Sequence, residues 1–129
     1  MVLPRFVSSA VQNKPINVFG DGSQSRVFCH VDDVVRAIIA IAKNDITIGE
    51  VFNIGGDYEI TILGLAKLVI EHCQSRSPIV FVNYEDVYSL GFEDTVKRIP
   101  DTAKIRTYIG WEPKIELTNI IKDIANSLI

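Results

Sequence analysis

Helical periods alternate with short strand-like runs along this chain, and that order constrains its fold more than any other feature. An apolar stripe at helical spacing predicts a helix over about residues 2–12, which ends at Lys14-Pro15. Short apolar runs predict strands at 16–19 and around 27–30, with a glycine turn between them. Strands that alternate with helices are typical of an α/β fold, which is the class we assign.

The rest of the chain continues the alternation. Asp32 or Asp33 is expected to cap a second helix that runs to about Lys43 and is apolar on nearly every side, so we expect it to be buried on several sides. Thr61 is expected to cap the third helix. The remaining predicted elements are a buried strand over 50–56, a helix over 62–73, a strand at 79–82, a loop over 83–100, a short helix from Thr102 towards Tyr108, a turn at 110–113 and an amphipathic final helix.

The chain has more apolar surface than its own elements can cover, which predicts a partner. Hydrophobic residues make up 47% of the 129 residues, and the predicted strands are too few and short to cover the apolar faces of the helices. At this length residues 1–129 form at most one domain. We therefore expect exposed apolar helices that either self-associate or dock on a missing part of the same polypeptide.

Net charge, hydropathy and cysteine content argue against several classes of protein. A net charge of −3 argues against general nucleic-acid binding, and no apolar run is long enough to span a membrane. No signal peptide is visible, and Cys29 and Cys73 are typical of reduced thiols, so we expect a cytoplasmic protein. His30 and His72 have no partners at metal-ligand spacing, so we predict no metal site.

One stretch, from Val18 to Phe28, combines an aromatic residue, a glycine turn and an arginine. Gly20 and Gly22 permit a tight reversal that aims Arg26 at whatever lies beside Phe19. A guanidinium beside an aromatic wall suits a nucleotide diphosphate, because arginine binds phosphate oxygens in bidentate fashion. A hairpin with a surface arginine explains the same residues without a ligand.

Six short motifs follow one another over nearly all of the chain. They are Val2-Leu3-Pro4-Arg5-Phe6, Val18 to Phe28, His30 to Val34, Phe52 to Gly56, Arg98 to Lys104, and Ile109 to Pro113. In this order they resemble the C-terminal half of the extended short-chain dehydrogenases/reductases, in the NAD-dependent sugar-nucleotide epimerase/dehydratase/decarboxylase branch. The resemblance implies the substrate-binding part of that fold, with short strands and about five helices, and with the N-terminal Rossmann domain absent.

The resemblance also implies which parts of such an enzyme this chain lacks. Family members bind NAD on a G-x-x-G-x-x-G loop and use a Tyr-x-x-x-Lys pair as acid/base. Gly20-Asp21-Gly22 and Gly55-Gly56 do not match the loop, and no tyrosine here (Tyr58, Tyr84, Tyr88 or Tyr108) has a lysine four residues later. We therefore predict no catalytic residue and no NAD bound by this chain alone, NAD belonging to the full-length enzyme. The pairs Glu85-Asp86 and Glu93-Asp94 are expected to be solvated loop charges.

By the same resemblance, Arg26 and Arg98 would contact the diphosphate of a nucleotide sugar, and Asp101 would contact the ribose. Each assignment has a structural alternative. Arg26 can form a salt bridge to Asp21 or Asp33 instead, and Asp101 can simply cap the helix that follows it.

The nucleotide base would lie against a strand and an aromatic wall, formed by Asn17, Val18, Phe19 and Phe28. Ordinary strand packing is the alternative for the first three, and Phe28 is expected to be wall more than contact. Residues 53–56 are assigned a structural role, and Phe52 and Ile54 are assigned to a strand that joins the Rossmann sheet in the full-length enzyme. Trp111 is expected to anchor the last helix.

Two functions of different classes fit these residues. The first is the sugar-nucleotide-binding portion of an NAD-dependent enzyme that acts on a UDP- or dTDP-hexose, and the compact segment from Arg98 to Asp101 favours a 4-epimerase or decarboxylase over a dehydratase. The second is a stand-alone, non-catalytic module that binds a nucleotide sugar or docks on a partner. The first makes the chain part of an isomerase or a lyase, whereas the second makes it no enzyme at all.

Overall fold

The computed structural model describes residues 1–83 and 95–128. Over that part the regular structure consists of five α-helices, five short strands and a 3-10 helix at Asp45–Thr47. The helices are α1 (Val2–Val11), α2 (Val31–Ala42), α3 (Ile62–His72), α4 (Ala103–Ile109) and α5 (Leu117–Ser127). The strands are β1 (Ile16–Phe19), β2 (Ser25–Val27), β3 (Glu59–Thr61), β4 (Ile79–Val82) and β5 (Lys97–Arg98). This mixed composition confirms the α/β class.

Some predictions concern residues that the structure does not describe. Tyr84, Tyr88 and the acidic pairs Glu85-Asp86 and Glu93-Asp94 lie outside the described residues.

The strands form two small sheets. β1 and β4 make a parallel pair in which Ile16 lies opposite Ile79 and Phe19 lies opposite Val82. The other sheet has three strands in the order β3-β2-β5, and β2 runs parallel to β5. Both parallel pairings join strands that are distant in sequence, as an α/β topology requires.

The chain divides into two compact units. The first comprises Met1–Arg26, Ile60–Arg98 and Thr118–Ile129. In it α1, α3 and β1 pack together through their apolar faces. The buried hydrophobic residues of these three elements are Leu3, Phe6, Val7, Ala10, Ile16, Val18, Ile62, Leu65, Ala66 and Val69.

Side-chain hydrogen bonds fix the start of α3 and the end of α1 in the first unit. Thr61 caps α3 as predicted, because its hydroxyl accepts the N–H of Gly64 at 3.0 Å. After α1, Asn13 adopts a left-handed backbone with φ 54°, and its side-chain oxygen accepts the N–H of Arg76 at 2.8 Å. The end of α1 is thereby tied to the segment that follows α3.

The second unit comprises Val27–Glu59 and Ile99–Leu117. Its core is built on Ala37 of α2, Ile105 of α4 and Trp111, with partly buried hydrophobic residues packed around them: Cys29, Ile41, Phe52, Ile54 and Ile109. Trp111 therefore anchors α2 and α4, whereas the sequence predicted an anchor for the last helix.

The start of α2 differs from the prediction. β2 occupies Ser25–Val27 instead of 27–30, and His30 is the N-cap, with its Nδ1 accepting the N–H of Asp32 at 3.1 Å. The cap assigned to Asp32 or Asp33 was therefore wrong. A histidine that accepts at the cap ends the strand early and begins the helix at Val31.

Two expectations of burial were also wrong. In α2, Asp33 and Ala37 are the buried residues, and Val31 is 65% exposed, Ile38 54% and Ile39 48%. Residues 51–58 form no strand, and Val51 is 81% exposed, because the described part of the chain gives this segment no strand partner.

In the described ranges no helix has the length and apolar character needed to cross a membrane.

Candidate functional site

Two arginines that the sequence singles out lie side by side on neighbouring strands. β2 carries Arg26 and β5 carries Arg98, and the parallel register sets these residues directly opposite each other. Side chains at matched positions of a parallel pair project from the same face of the sheet. The sheet therefore brings two guanidinium groups to one surface of the first unit.

Thr95 contacts both of these side chains. Arg26 Nη1 donates to the carbonyl oxygen of Thr95 at 2.8 Å and to that of Ser25 at 2.7 Å. Arg98 Nη2 donates to the Thr95 hydroxyl at 3.4 Å, and Arg98 has no acidic partner within the described residues. Arg26 is half-buried and Arg98 is exposed. Two neighbouring cations of this kind favour the binding of an anion between them.

The two salt bridges considered for Arg26 are not formed. Asp21 accepts the N–H of Ser23 at 2.8 Å, and hydrogen bonds from the Ser23 side chain and backbone hold the pKa of Asp21 below its ordinary value. Asp33 pairs with Arg36 instead. Neither carboxylate thus neutralises Arg26.

The predicted base-binding strand is β1, and its residues alternate in burial. Ile16 and Val18 are wholly buried, whereas Asn17 is exposed and Phe19 is half-buried. The guanidinium carbon of Arg5 lies 5.8 Å from the centroid of the Phe19 ring, a cation–π distance. Val18 is therefore buried in ordinary strand packing, whereas Asn17 and Phe19 lie on the opposite face of β1.

The turn after β1 is packed tightly against α3. Gly20 and Gly22 have φ of 63° and 72°, the left-handed region that favours glycine. A Cβ on Gly22 would lie 2.7 Å from Val18 Cγ1 and 2.9 Å from Leu63 Cβ, so no larger residue fits. The N–H of Leu63 also donates to the Gly22 carbonyl at 3.0 Å. The turn that precedes Arg26 is thus rigidly supported.

The two site residues of the second unit have clear structural contacts. Asp101 Oδ1 accepts the N–H of Ala103 at 2.9 Å, so Asp101 caps α4, while the side chain of Thr102 makes no capping bond. Phe28 is half-buried, and its carbonyl oxygen would lie 2.1 Å from a Cβ on Gly56. Asp101 therefore has the capping role that the sequence offered as its alternative. The Phe28 contact is made by its backbone, so the aromatic wall stays a prediction.

Gly22, Gly55 and Gly56 do not present an open face to a dinucleotide. A pyrophosphate cradle needs glycine faces open to the ligand. A Cβ on Gly22 would meet Val18 and Leu63, one on Gly55 would meet Pro100 at 2.5 Å, and one on Gly56 would meet Phe28. The space beside each of these glycines is filled by the protein itself, so we assign none of them to NAD.

A buried carboxylate that the sequence took for a simple cap organises the second unit. Asp33 is 2% exposed, and its Oδ2 accepts the N–H groups of Lys114 and Ile115, both at 2.9 Å. Arg36 pairs with Oδ1, and the indole N–H of Trp111 donates to the Asp33 carbonyl at 3.0 Å. Burial raises the pKa of Asp33, but the hydrogen bonds from Ile115, Arg36 and Lys114 outweigh it and hold the pKa below its ordinary value.

The described ranges contain Tyr58 and Tyr108, and Lys104 lies beside the ring of Tyr108. Tyr58 is 60% exposed. Lys104 precedes Tyr108 by four residues, and its ammonium lies 5.6 Å from the centroid of the Tyr108 ring and 5.1 Å from that of Phe52. Its Nζ donates to Glu50 Oε2 at 2.6 Å. Lys104 therefore stabilises packing in the second unit.

A shallow cleft on the exposed side of α2 contains none of the predicted site residues. It is lined by Asp32, Val35, Arg36, Ile39, Ala40 and Lys43. It follows the apolar face of the helix and does not coincide with the arginine pair.

Comparison with known proteins assigns the family. Residues 1–55 match the NAD dependent epimerase/dehydratase family. Over 122 residues the chain is 37% identical to UDP-N-acetyl-alpha-D-glucosaminuronate decarboxylase of Bacillus cytotoxicus, a match that covers 95% of the chain and 38% of that protein.

Solved structures agree with the sequence matches. UDP-glucose 4-epimerase of Thermotoga maritima, with UDP-glucose, superimposes with a TM-score of 0.83 at 31% identity, over 98% of this chain and 38% of that one. UDP-glucuronic acid 4-epimerase of Bacillus cereus, in complex with UDP-glucuronic acid and NAD, superimposes with a TM-score of 0.85 at 25% identity, over 100% of this chain and 40% of that one.

The chain spans only about a quarter to two fifths of the length of these relatives and of similar plant decarboxylases. Over that portion, sequence and fold agree with the six ordered motifs. The chain belongs to the NAD-dependent epimerase/dehydratase family of extended short-chain dehydrogenases/reductases and corresponds to a portion of its members.

Proposed function

We propose that this chain provides the nucleotide-sugar-binding portion of an NAD-dependent enzyme that acts on a UDP-linked sugar, of the decarboxylase or 4-epimerase type. The relatives at 37% and 38% identity carry UDP-sugar decarboxylase names, and two solved structures at 25% and 31% identity carry UDP-sugar 4-epimerase names. The dTDP-glucose 4,6-dehydratase structures that also match have lower identities of 24% and 21%, which supports UDP over dTDP. These relatives are enzymes, so the alternative of a stand-alone, non-catalytic module finds no support among them.

The observation that carries the proposal is the register of Arg26 and Arg98. A diphosphate has several charged oxygens within a few ångströms, and two guanidinium forks at matched positions can bind both phosphates in bidentate fashion. The partial burial of Arg26 lowers the local dielectric constant and strengthens that contact. Asp101, Asn17, Phe19 and Phe28 remain candidates for the ribose and the base.

In this proposal the residues of this chain bind and orient the substrate, and NAD belongs to the remainder of a longer enzyme. NAD would accept a hydride from the sugar and return it. No residue described in the structure is assigned to NAD or to proton transfer. We therefore predict that the 129-residue chain alone does not convert a UDP-sugar, and NAD-linked turnover by the purified chain would contradict this.

The exposed apolar face of α2 is the proposed contact with that remainder. Val31, Val35, Ile38 and Ile39 are each 46–65% exposed. Side chains of this kind on one helix are typical of an interface, and the alternative occupant is a second copy of the chain. The single substrate-binding domain and the cytoplasmic setting predicted from the sequence are part of the same proposal.

Calorimetric titration with UDP tests the arginine pair. Replacing Arg26 with Ala removes a charged, partly buried contact, so we expect a loss of about 2–4 kcal/mol of binding free energy. Arg98→Ala should also weaken binding, and by less, because Arg98 is exposed.

Arg76→Ala is the matched control, because it removes one exposed arginine of the first unit that lies outside the proposed site. It should leave UDP affinity nearly unchanged. Equal affinities for wild type, Arg26→Ala and Arg98→Ala would overturn the proposed function.

A further inference from the structure

The side chain of Gln24 joins the two small sheets. Gln24 immediately precedes β2, and its Nε2 donates to the carbonyl oxygen of Phe19, the last residue of β1, at 3.2 Å. β1 belongs to the sheet with β4, whereas β2 belongs to the sheet with β3 and β5. The bond is partly buried, where a lower dielectric constant strengthens it. It therefore fixes the distance between the end of one strand and the start of the other.

Each sheet is held near this point by backbone bonds of its own. The N–H of Gly20 donates to the carbonyl oxygen of Val82 at 2.9 Å, which ties the end of β1 to β4. The N–H of Ser25 donates to the carbonyl oxygen of Val96 at 2.9 Å, which ties the start of β2 to the residue before β5. Because each of these bonds stays on its own side, neither sets the spacing between the two sheets.

The backbone of Gln24 is anchored on α3. The carbonyl oxygens of Gly22 and Gln24 accept the N–H groups of Leu63 and Ile62, at 3.0 and 2.9 Å. These N–H groups lie in the first turn of α3, where the helix itself provides no acceptor for them. The Gln24 side chain thus extends from a fixed backbone, so it loses less conformational freedom when it bonds to Phe19.

Gln24 also lies close in sequence to the proposed diphosphate site. Arg26 follows it by two residues, beyond the buried Ser25, and lies opposite Arg98. Phe19, Gln24 and both arginines belong to the first unit. Gln24 therefore connects the strand proposed for the base to the strand that carries the arginine pair. The base and the diphosphate of one ligand are covalently joined, so their contacts reinforce each other only where the spacing of the protein groups matches the ligand.

We infer that Gln24 is a positioning residue that sets this spacing, so that the site prefers a nucleoside diphosphate to free diphosphate. The inference rests on the proposed function and deepens it, since it adds a residue that acts through the carbonyl group of Phe19. Arg26 and Arg98 would bind the phosphates themselves, and their register is set by the ladder between β2 and β5. Loss of the Gln24 bond should therefore affect UDP and leave pyrophosphate binding nearly as it was.

Calorimetric titration of the 129-residue chain with UDP and with pyrophosphate, in buffer without divalent cations, tests this. Gln24→Met keeps the length of the side chain but removes the hydrogen-bond donor. It should weaken UDP binding about three- to tenfold, the effect of losing one hydrogen bond, and weaken pyrophosphate binding less than about twofold. Gln24→Ala also lacks the donor and provides the same comparison where the methionine packs badly.

Ser23→Ala is the matched control. It removes another neutral hydrogen-bonding side chain from the same turn, one whose partner is Asp21. The ratio of UDP affinity to pyrophosphate affinity should keep its wild-type value in this variant. An equal fall of that ratio in Ser23→Ala would assign the effect to loosening of the whole turn and overturn the inference.

The two proposals fail in distinguishable ways. A wild type that binds neither UDP nor pyrophosphate would overturn the proposed function, and this inference with it. A wild type that binds both with equal affinity would leave diphosphate binding by the arginine pair in place and overturn the inference. Either Gln24 variant would do the same if it kept the wild-type preference for UDP, or if it lost affinity for both ligands equally.

Discussion

At the scale of single residues, the second unit depends on one carboxylate whose role only the folded chain reveals. Asp33 follows Asp32 in the sequence, and nothing local distinguishes them. In the structure the side chain of Asp32 is 76% exposed, while that of Asp33 is buried. The partners that decide this, Lys114, Ile115 and Trp111, lie about eighty residues further along the chain. The sequence could therefore predict an acidic residue at the helix start but not its long-range bonds.

Replacement of Asp33 with Asn should lower the free energy of unfolding at pH 7 by about 2–3 kcal/mol, because charged hydrogen bonds to Arg36 and two backbone N–H groups are weakened. The folded-state pKa of Asp33 is depressed, so its stabilisation is complete above the unfolded-state pKa of about 4 and is lost as the pH falls through the lower folded value. Urea unfolding at a series of pH values measures both effects.

Asp32→Asn is the control for that series, since it removes the same charge from an exposed neighbour. It should cost at most a few tenths of a kcal/mol. An equal loss in the two variants, or a difference between wild type and Asp33→Asn that stays constant into acid, would contradict the role assigned to Asp33.

Gly56 and Gly49 form a second matched pair. A Cβ on Gly56 would lie 2.1 Å from the carbonyl oxygen of Phe28, whereas Gly49 has φ 77° and open space around it. Gly56→Ala should therefore cost about 2–3 kcal/mol by overpacking against backbone, and Gly49→Ala only about 1 kcal/mol of backbone strain. Thermal unfolding of the two variants tests this difference. Equal melting temperatures would show that the backbone around Phe28 moves freely to accommodate a Cβ at Gly56.

At the scale of elements, what the sequence predicts depends on where the stabilising contacts come from. The helices α1, α3 and α5 have apolar stripes that are visible locally, and all three were predicted. β3 and β5 have three and two residues and exist only because β2 lies between them, so no local pattern could reveal them. The end of β2 was misplaced because His30, an uncommon cap, takes over there.

The apolar face of α2 leads to a prediction about association. Ile39 is 48% exposed, so Ile39→Glu should change stability little but should weaken any contact made by that face about tenfold or more. Sedimentation velocity over a range of concentrations measures this, with Leu128→Glu, at 50% exposure outside α2, as the control. Two results together would contradict an exposed contact face on α2. The wild type would stay monomeric at the highest concentration, and it would bind no more apolar dye than Ile39→Glu does.

At the scale of the whole molecule, the ordered motifs predicted the family, and the individual residues did not. Arg26 or Asp101 taken alone suits a hairpin or a cap as well as a ligand, and the structure gives Asp101 the cap. The order of the six motifs predicted a family, and the decarboxylase and epimerase relatives support that assignment. The sequence could not predict that Arg26 lies opposite Arg98, because this pairing depends on the register of β5, a strand of two residues.

That register carries a consequence for how the site can fail. Side chains alternate across a strand, so a slip of β5 by one residue would set Lys97 opposite Arg26 and turn Arg98 to the other face. The local charge would be the same, because one cation replaces another. What would change is the fork geometry, since an ammonium binds phosphate as a point charge. A misregistered molecule would still attract anions, and only its preference for a diphosphate over a simple phosphate would reveal the error.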